Sequence, residues 1–464
     1  MKKHVNIILF FFFSFFSAAC LANGYSGTLP VMFINTENGK EIKDKVNYIN
    51  ATYYVDPMDA DWCSALGSKD TPLHLQIRGR GNYTWASFDK KPYRIKLAEK
   101  QSLLGMSKSR HFALLAHADD NVAFLRNTVG FEVSRRIGMP FTPAQRPLEV
   151  VLNGDYIGLY FLTETVRVAK NRVNIIEQSN GQEDEDSITG GWLLEIDNTT
   201  QKEQQIHFPV DDTDLWRLKI TYHSPDSLSL VQTDYLIDQI ESIKRAIYHP
   251  EGDSTALGQI IDLNSLAKFY IVQEVVDHLE GFVGSCYFYK NLGEKQWKFG
   301  PVWDLGNAFN DYHSKEKFIY QDSPFPIGII HTISRFPQFQ EEVAKVWHDF
   351  YPQGLEGIDV FINTFLEEIA AAAVCDVQRW PAYGNSDIWG ASRQVFDSLE
   401  KKTKWLDSQW RSQYTEGITE LLTDVPETAL FDIFGRRMNS HQLIRGLVIK
   451  KNSQGKRFSL FLNQ

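Results

Sequence analysis

Arg78, Arg80, Arg94 and Lys96 are the first residues whose types and spacing invite chemistry. Arg78 closes an alternating stretch, Leu73 to Arg78, and Arg94 and Lys96 alternate with Tyr93, Ile95 and Leu97. Each pair has a two-residue spacing, and residues so spaced share one face of a strand. Cations gathered this way call for an anionic partner, and phosphate suits them well. A solvated basic sheet face is the plainer alternative. Carboxylates come later in the chain. Glu164 ends the apolar strand Gly158 to Glu164, either as a rim residue or as a partner for one of the cations. Asp277 follows a hydrophobic helix, with Glu274 one turn earlier on a similar face. Asp304 stands between the apolar run Phe299 to Trp303 and Gly306, a placement typical of a metal-binding carboxylate. Phosphoryl transfer from a nucleotide uses such a set: a Lys/Arg clamp, a Glu orienting it, an Asp for Mg²⁺ and an Asp facing the acceptor hydroxyl. Taken singly, each acid reads more often as a cap or a surface residue.

Other chemistries are excluded by motif. The chain has no GxxxxGK[ST], no HExxH and no GxSxG, and Gly79-x-Gly81 lacks the third glycine and following helix of a dinucleotide fingerprint. The 464 residues are 43% hydrophobic and 23% charged, which describes a folded globular chain and excludes disordered and fibrous classes. The net charge of −10 argues against nucleic acid as a partner, because phosphate backbones are bound by basic surfaces.

The elements that must position these residues are strands first and helices later. Thr28 to Ile34, Tyr48 to Val55, Leu73 to Arg78 and Tyr93 to Leu97 read as strands. Asn121 is placed to cap a helix carrying Val122, Leu125, Val129, Val133 and Ile137. Leu148 to Leu152 and Tyr156 to Leu162 flank Asn153-Gly154, a strong hairpin signal. Ile188 to Ile196 reads as a further strand. Asp234 to Tyr248, Asn264 to Leu279, Phe339 to Phe350, Val360 to Val374 and Val395 to Trp410 read as helices, interrupted by a hairpin at Tyr287–Tyr289 and Trp297–Val302. The expectation is an α+β chain of two lobes, strand-rich in its first half and helix-rich in its second, with short β elements at both ends. Its units are residues 1–20, 25–70, 71–415 and a β tail, 425–464.

Lys2, Lys3 and His4 precede an apolar run, Val5 to Phe16, and small residues follow, which reads as a secretory signal. Cleavage falls either before Cys20, which would then carry a lipid anchor, or after Ala22. The expectation is an exported protein of the cell envelope, surface or exterior, meeting a membrane only through that anchor. Cys63, Cys286 and Cys375 fit small buried hydrophobes better than a disulfide framework, although one bridge remains open.

The succession Leu75 to Trp85, Lys90 to Leu97, Leu125-Arg-Asn127, Val151 to Glu164 and Gly300-Pro-Val-Trp-Asp304 resembles the CotH kinase family. The resemblance implies an atypical protein-kinase-like fold and ATP-dependent phosphorylation, on Ser or Thr, of a protein substrate outside the cytoplasm, with Mg²⁺ or Mn²⁺. It implies that Lys96, or else Lys91, holds the nucleotide phosphates with Arg78 and Arg80 nearby. It further implies that Glu164 pairs with Lys96, that Asp277 is the catalytic acid/base and that Asp304 binds metal. Two positions depart from the family pattern: Ser285 stands where an Asn is common, and Gly306 where many members carry a second Asp. A catalytically weak pseudokinase, or a surface protein binding polyanions or glycans, is the alternative. The C-terminal Leu430 to Met438, with Gly446 to Ile449, resembles the β-rich sorting tails of Bacteroidetes secretion.

Overall fold

The fold is read from a computed structural model describing Cys20 and residues 24–197, 205–206, 219–248, 255–310, 315–324, 327–384 and 387–423. Residues 412–423, and four strands between 430 and 462, are described by backbone alone. The apolar run read as a secretory signal lies outside the described residues.

Seven strands form a closed barrel in the order β1-β2-β3-β4-β5-β7-β6. They are β1 (Val31–Thr36), β2 (Ile49–Asp56), β3 (Leu73–Gly79), β4 (Tyr93–Gln101), β5 (Ser109–Leu115), β6 (Gln145–Leu152) and β7 (Asp155–Glu164). Neighbours are antiparallel except at the seam, where β1 lies parallel to β6 with Val31 opposite Glu149. Alternation decides what fills the barrel: Leu75, Ile77, Ile95, Leu97, Phe112, Leu114, Tyr160 and Leu162 pack as one buried core. The segment 25–70 is therefore no separate unit, since it supplies two staves of the same barrel. Closure also removes the exposed edges that an open sheet would have to protect.

A second sheet, ordered β11-β10-β8-β9, comprises β8 (Trp192–Ile196), β9 (Ile220–Ser224), β10 (Cys286–Lys290) and β11 (Lys298–Phe299). It packs with helices α1 (Leu125–Arg136), α2 (Leu230–Tyr248), α3 (Leu263–Val275), α4 (Pro337–Phe350), α5 (Ile358–Arg379) and α6 (Ile388–Thr423) around a second, larger core. Trp192, Trp297 and Trp347 are fully buried there. The chain is thus mixed α+β, with strands ahead and helices behind, as its periodicity predicts. The tail strands β12 (Leu430–Phe431), β13 (Arg437–Met438), β14 (Gly446–Lys451) and β15 (Arg457–Leu462) form their own sheet.

Helix α5 joins the two cores. Phe365 meets Phe161 on the outer wall of the barrel. The Trp380 indole donates to the Ile157 carbonyl at 2.9 Å. Lys90 and Asp376 form an ion pair at 2.8 Å, with side chains 1% and 3% exposed, and Asp376 also accepts the Leu159 N–H at 2.9 Å. One residue before Asp376, Cys375 is disulfide-bonded to Cys20. This corrects the reading of Cys375 as a small buried hydrophobe. Cys286 is free and buried, and Cys63 free and half-buried. The described residues contain no helix long and apolar enough to cross a membrane.

Candidate functional site

Asp304 and Asp277 lie on two loops that the fold ties together. Asn127 Oδ1 accepts the Leu305 N–H at 2.8 Å, and the Leu305 side chain packs onto α1 where Gly130 leaves room; a Cβ there would stand 2.1 Å from Leu305 Cδ1. The Arg126 guanidinium donates to the Gly306 carbonyl and, at 2.8 Å each, to Asn121 Oδ1 and Asn310 Oδ1. Lys315 donates to the Asn310 carbonyl at 2.9 Å and ion-pairs with Asp277 Oδ2. The Phe309 N–H bonds the Val276 carbonyl at 2.8 Å, beside Asp277. A continuous polar chain therefore runs from the Asp304 loop through Arg126, Asn310 and Lys315 to Asp277.

Backbone strain gathers here. Asp277, Ser285, Asp304 and Phe309 have φ of 55°, 50°, 54° and 59°, and His117, Ala123 and Phe124 have 47°, 61° and 61°. Each non-glycine residue in this region costs about 1 kcal/mol or more, and such residues concentrate at functional sites. Asp277 is 3% exposed, and its Oδ1 has no hydrogen-bond partner. Asp304 is open to solvent yet so enclosed by protein that desolvation raises its pKa, with the Arg80 charge opposing. That combination describes the floor of a cleft. Arg80 lies over the Trp303 ring, 5.7 Å from its centroid, while Trp303 stacks on Phe131 at 6.2 Å. Arg78, Arg80 and Arg94 interact electrostatically with one another. Tyr287 of β10 offsets the desolvation of both Arg80 and Arg94. These three arginines therefore gather where the barrel wall meets the second sheet, with Arg80 nearest Asp304.

Lys96 and Glu164 do not join them. Lys96 pairs with Gln76 and His111 across the sheet, so it points outward, between the interior residues Ile95 and Leu97. Glu164 lies opposite Phe112, an interior position, and so belongs to the other face. It accepts the Ala144 N–H at 3.1 Å and faces Arg172 at 3.6 Å. The implied Lys96–Glu164 pair is thus not formed. Lys91 is also committed, donating to the Trp85 carbonyl at 2.7 Å. Glu274 is fully buried, bonded to Lys402 of α6 at 3.0 Å and accepting the Ile319 N–H at 3.1 Å; it is a strut between helices. Asn121 does not cap α1. That helix begins at Leu125, and Asp120 takes the Val122 and Phe124 N–H groups at 2.8 and 3.2 Å.

Sequence reasoning passed over Arg126 and Asn127 as site builders, although both stand in a quoted motif. It also passed over Asp119 and Glu280. Desolvation, with Asp120 and Asp304 nearby, pushes Asp119 up to about 6. Burial raises Glu280 too, against a hydrogen bond with Asn307. Among the described residues, no group of three or more His, Cys, Asp or Glu is arranged to hold a metal ion. Mg²⁺, however, is ordinarily held by one or two carboxylates together with substrate phosphates and water. Asp304, exposed to solvent beside Gly306, fits that mode.

No curated protein matches the chain. Among solved structures, a proinflammatory kinase from Helicobacter pylori, CtkA, is similar at 8% identity and a TM-score of 0.28, covering 82% of this chain and 97% of that one. A likeness so distant bears on neither fold nor function. The family model described as CotH kinase protein matches residues 77–406, from β3 into α6. That span holds Arg78, Arg80, Asp277 and Asp304 and every residue of the polar chain between the two loops. The protein belongs to the CotH kinase family.

Proposed function

We propose that the protein is an exported, ATP-dependent kinase of the CotH type, built on a bilobal kinase-like plan and acting on Ser or Thr of an envelope or secreted protein. The observation that carries this reading is the tie between the Asp277 and Asp304 loops through Arg126, Asn310 and Lys315. In phosphoryl transfer the acceptor hydroxyl forms a bond to the γ-phosphorus while the bond to the β-phosphate oxygen breaks. Asp277 takes the hydroxyl proton. Its Oδ2 is held by Lys315, which orients the carboxylate, while Oδ1 is buried without a hydrogen-bond partner and keeps its capacity to accept. Arg80 faces the phosphates in place of the expected lysine. Its guanidinium, propped on Trp303, needs no Glu164 to orient it. Asp304 would hold Mg²⁺ or Mn²⁺, which would supply positive charge against the nucleotide's phosphates.

A pseudokinase that binds nucleotide without turnover is the second reading, favoured by Ser285, Gly306 and the unformed Lys96–Glu164 pair. A glycan platform of tryptophans has little support, since Trp192, Trp297, Trp303, Trp347 and Trp410 are all buried. The test incubates purified protein with γ-labelled ATP, Mg²⁺ or Mn²⁺ and a generic protein substrate, beside Asp277→Ala and Asp304→Ala. Transfer by the wild type that both variants lose is the expected result. A nucleotide-induced rise in melting temperature without transfer selects the pseudokinase. Neither transfer nor a shift overturns both readings.

A further inference from the structure

We propose that Asp119 is the second carboxylate of the cation site, taking the place of the acid absent at position 306. This rests on the nucleotide reading above and concerns the same cleft. A Cβ added to Gly306 would stand 3.5 Å from Asp304 Oδ1 and 4.0 Å from Asp119 Oδ2, with nothing else within 4 Å. The space that an Asp side chain at 306 would enter is thus walled by two carboxylate oxygens from different loops. Those loops are fastened together at this point, because one Arg126 nitrogen donates to both the Asp119 carbonyl, at 3.3 Å, and the Gly306 carbonyl.

Three other carboxyl groups nearby each have a partner. Asp120 accepts the turn N–H groups before α1 through Oδ1, Asp277 meets Lys315 through Oδ2 and Glu280 bonds Asn307. Among the described residues, the Asp119 carboxylate bonds its own backbone N–H and lies near the Arg126 charge. Asp119 and Asp304 repel each other, and a cation between them would relieve that cost. Two carboxylates with the nucleotide's phosphates and water complete the shell that Mg²⁺ prefers. The acidic ligand has therefore moved from the residue two places after Asp304 to the loop preceding α1.

Gly306 lies outside the left-handed region and would admit a Cβ at ordinary contact distances, which makes a ligand swap testable. Free Mn²⁺ is followed by its paramagnetic resonance signal, with and without a non-hydrolysable ATP analogue, for wild type, Asp119→Asn, Asp304→Asn and the double variant Asp119→Asn/Gly306→Asp. Loss of even an outer partner of a metal ligand costs 10–100-fold in affinity, so Asp119→Asn is expected to weaken Mn²⁺ binding at least about tenfold. The double variant is expected to recover most of that loss. Recovery excludes a folding defect as the cause. Wild-type binding left unchanged by Asp119→Asn, or a loss that Gly306→Asp does not rescue, overturns this proposal alone. Absence of Mn²⁺ and nucleotide binding in the wild type overturns it together with the kinase reading.

Discussion

Asn127 shows how much of the site rests on neutral groups. Its side-chain oxygen holds the Leu305 N–H inside the core, one residue after Asp304. Replacing Asn127 by Leu keeps the branched shape, with somewhat more bulk, but leaves that N–H buried and unsatisfied, an expected loss of about 1–3 kcal/mol. Urea unfolding measures this, and an unchanged midpoint would show that the bond contributes nothing. The same variant is expected to weaken nucleotide-dependent cation binding, because the Asp304 backbone loses its anchor. The triplet Leu125-Arg126-Asn127 is visible in the sequence, but its task is not: the partners of Arg126 and Asn127 lie about 180 positions downstream. Asp277 and Asp304 are legible for the opposite reason, since each stands at an abrupt end of an apolar run. Asp119 carries no such mark. Its role depends on an absence at Gly306 in a different loop.

At the scale of elements, strand parity decides which cations can act. The alternation around Arg94 and Lys96 is plain in the sequence, and so is the apolar strand ending at Glu164. Their relation is not, because it depends on β5, where Ser109-Arg110-His111 precedes Phe112 to Leu115 without clean alternation, and which lies between β4 and β7. Once β5 is in place, Lys96 faces out and Glu164 faces in, and no rotamer carries one to the other side. Arg80 escapes this constraint because it stands beyond the end of β3. The expected result is therefore asymmetric. Lys96→Met leaves nucleotide affinity unchanged, whereas Arg80→Met removes a charge-assisted contact of about 1.5–3 kcal/mol and raises Kd at least about tenfold. Calorimetric titration of an ATP analogue separates them. A larger loss in Lys96→Met would return the phosphate-binding role to β4.

At the scale of the molecule, the barrel and the helical core meet along α5, and the meeting point is charged. The buried Lys90–Asp376 pair has been desolvated on both sides, so its geometry matters more than its net stabilisation. The Cys20–Cys375 bridge clamps the chain's beginning to the same turn of helix. This sets the bridge against both cleavages that the sequence leads one to expect. Lipidation would use the Cys20 sulfur, and cleavage after Ala22 would discard it; either leaves Cys375 a free thiol, 1% exposed. Bridged and processed forms must then differ in stability. A disulfide spanning 355 positions is expected to contribute about 2–5 kcal/mol. Cys375→Ser should accordingly lower the melting temperature of protein that retains Cys20, produced under oxidising conditions, and change the processed form far less. Thiol alkylation without reductant, read by intact mass, assigns the form: Cys375 resists labelling in unfolded bridged protein and reacts in unfolded processed protein. Equal effects of Cys375→Ser on both forms would show that Cys375 acts by packing alone, with the bridge adding nothing to the join between the two cores.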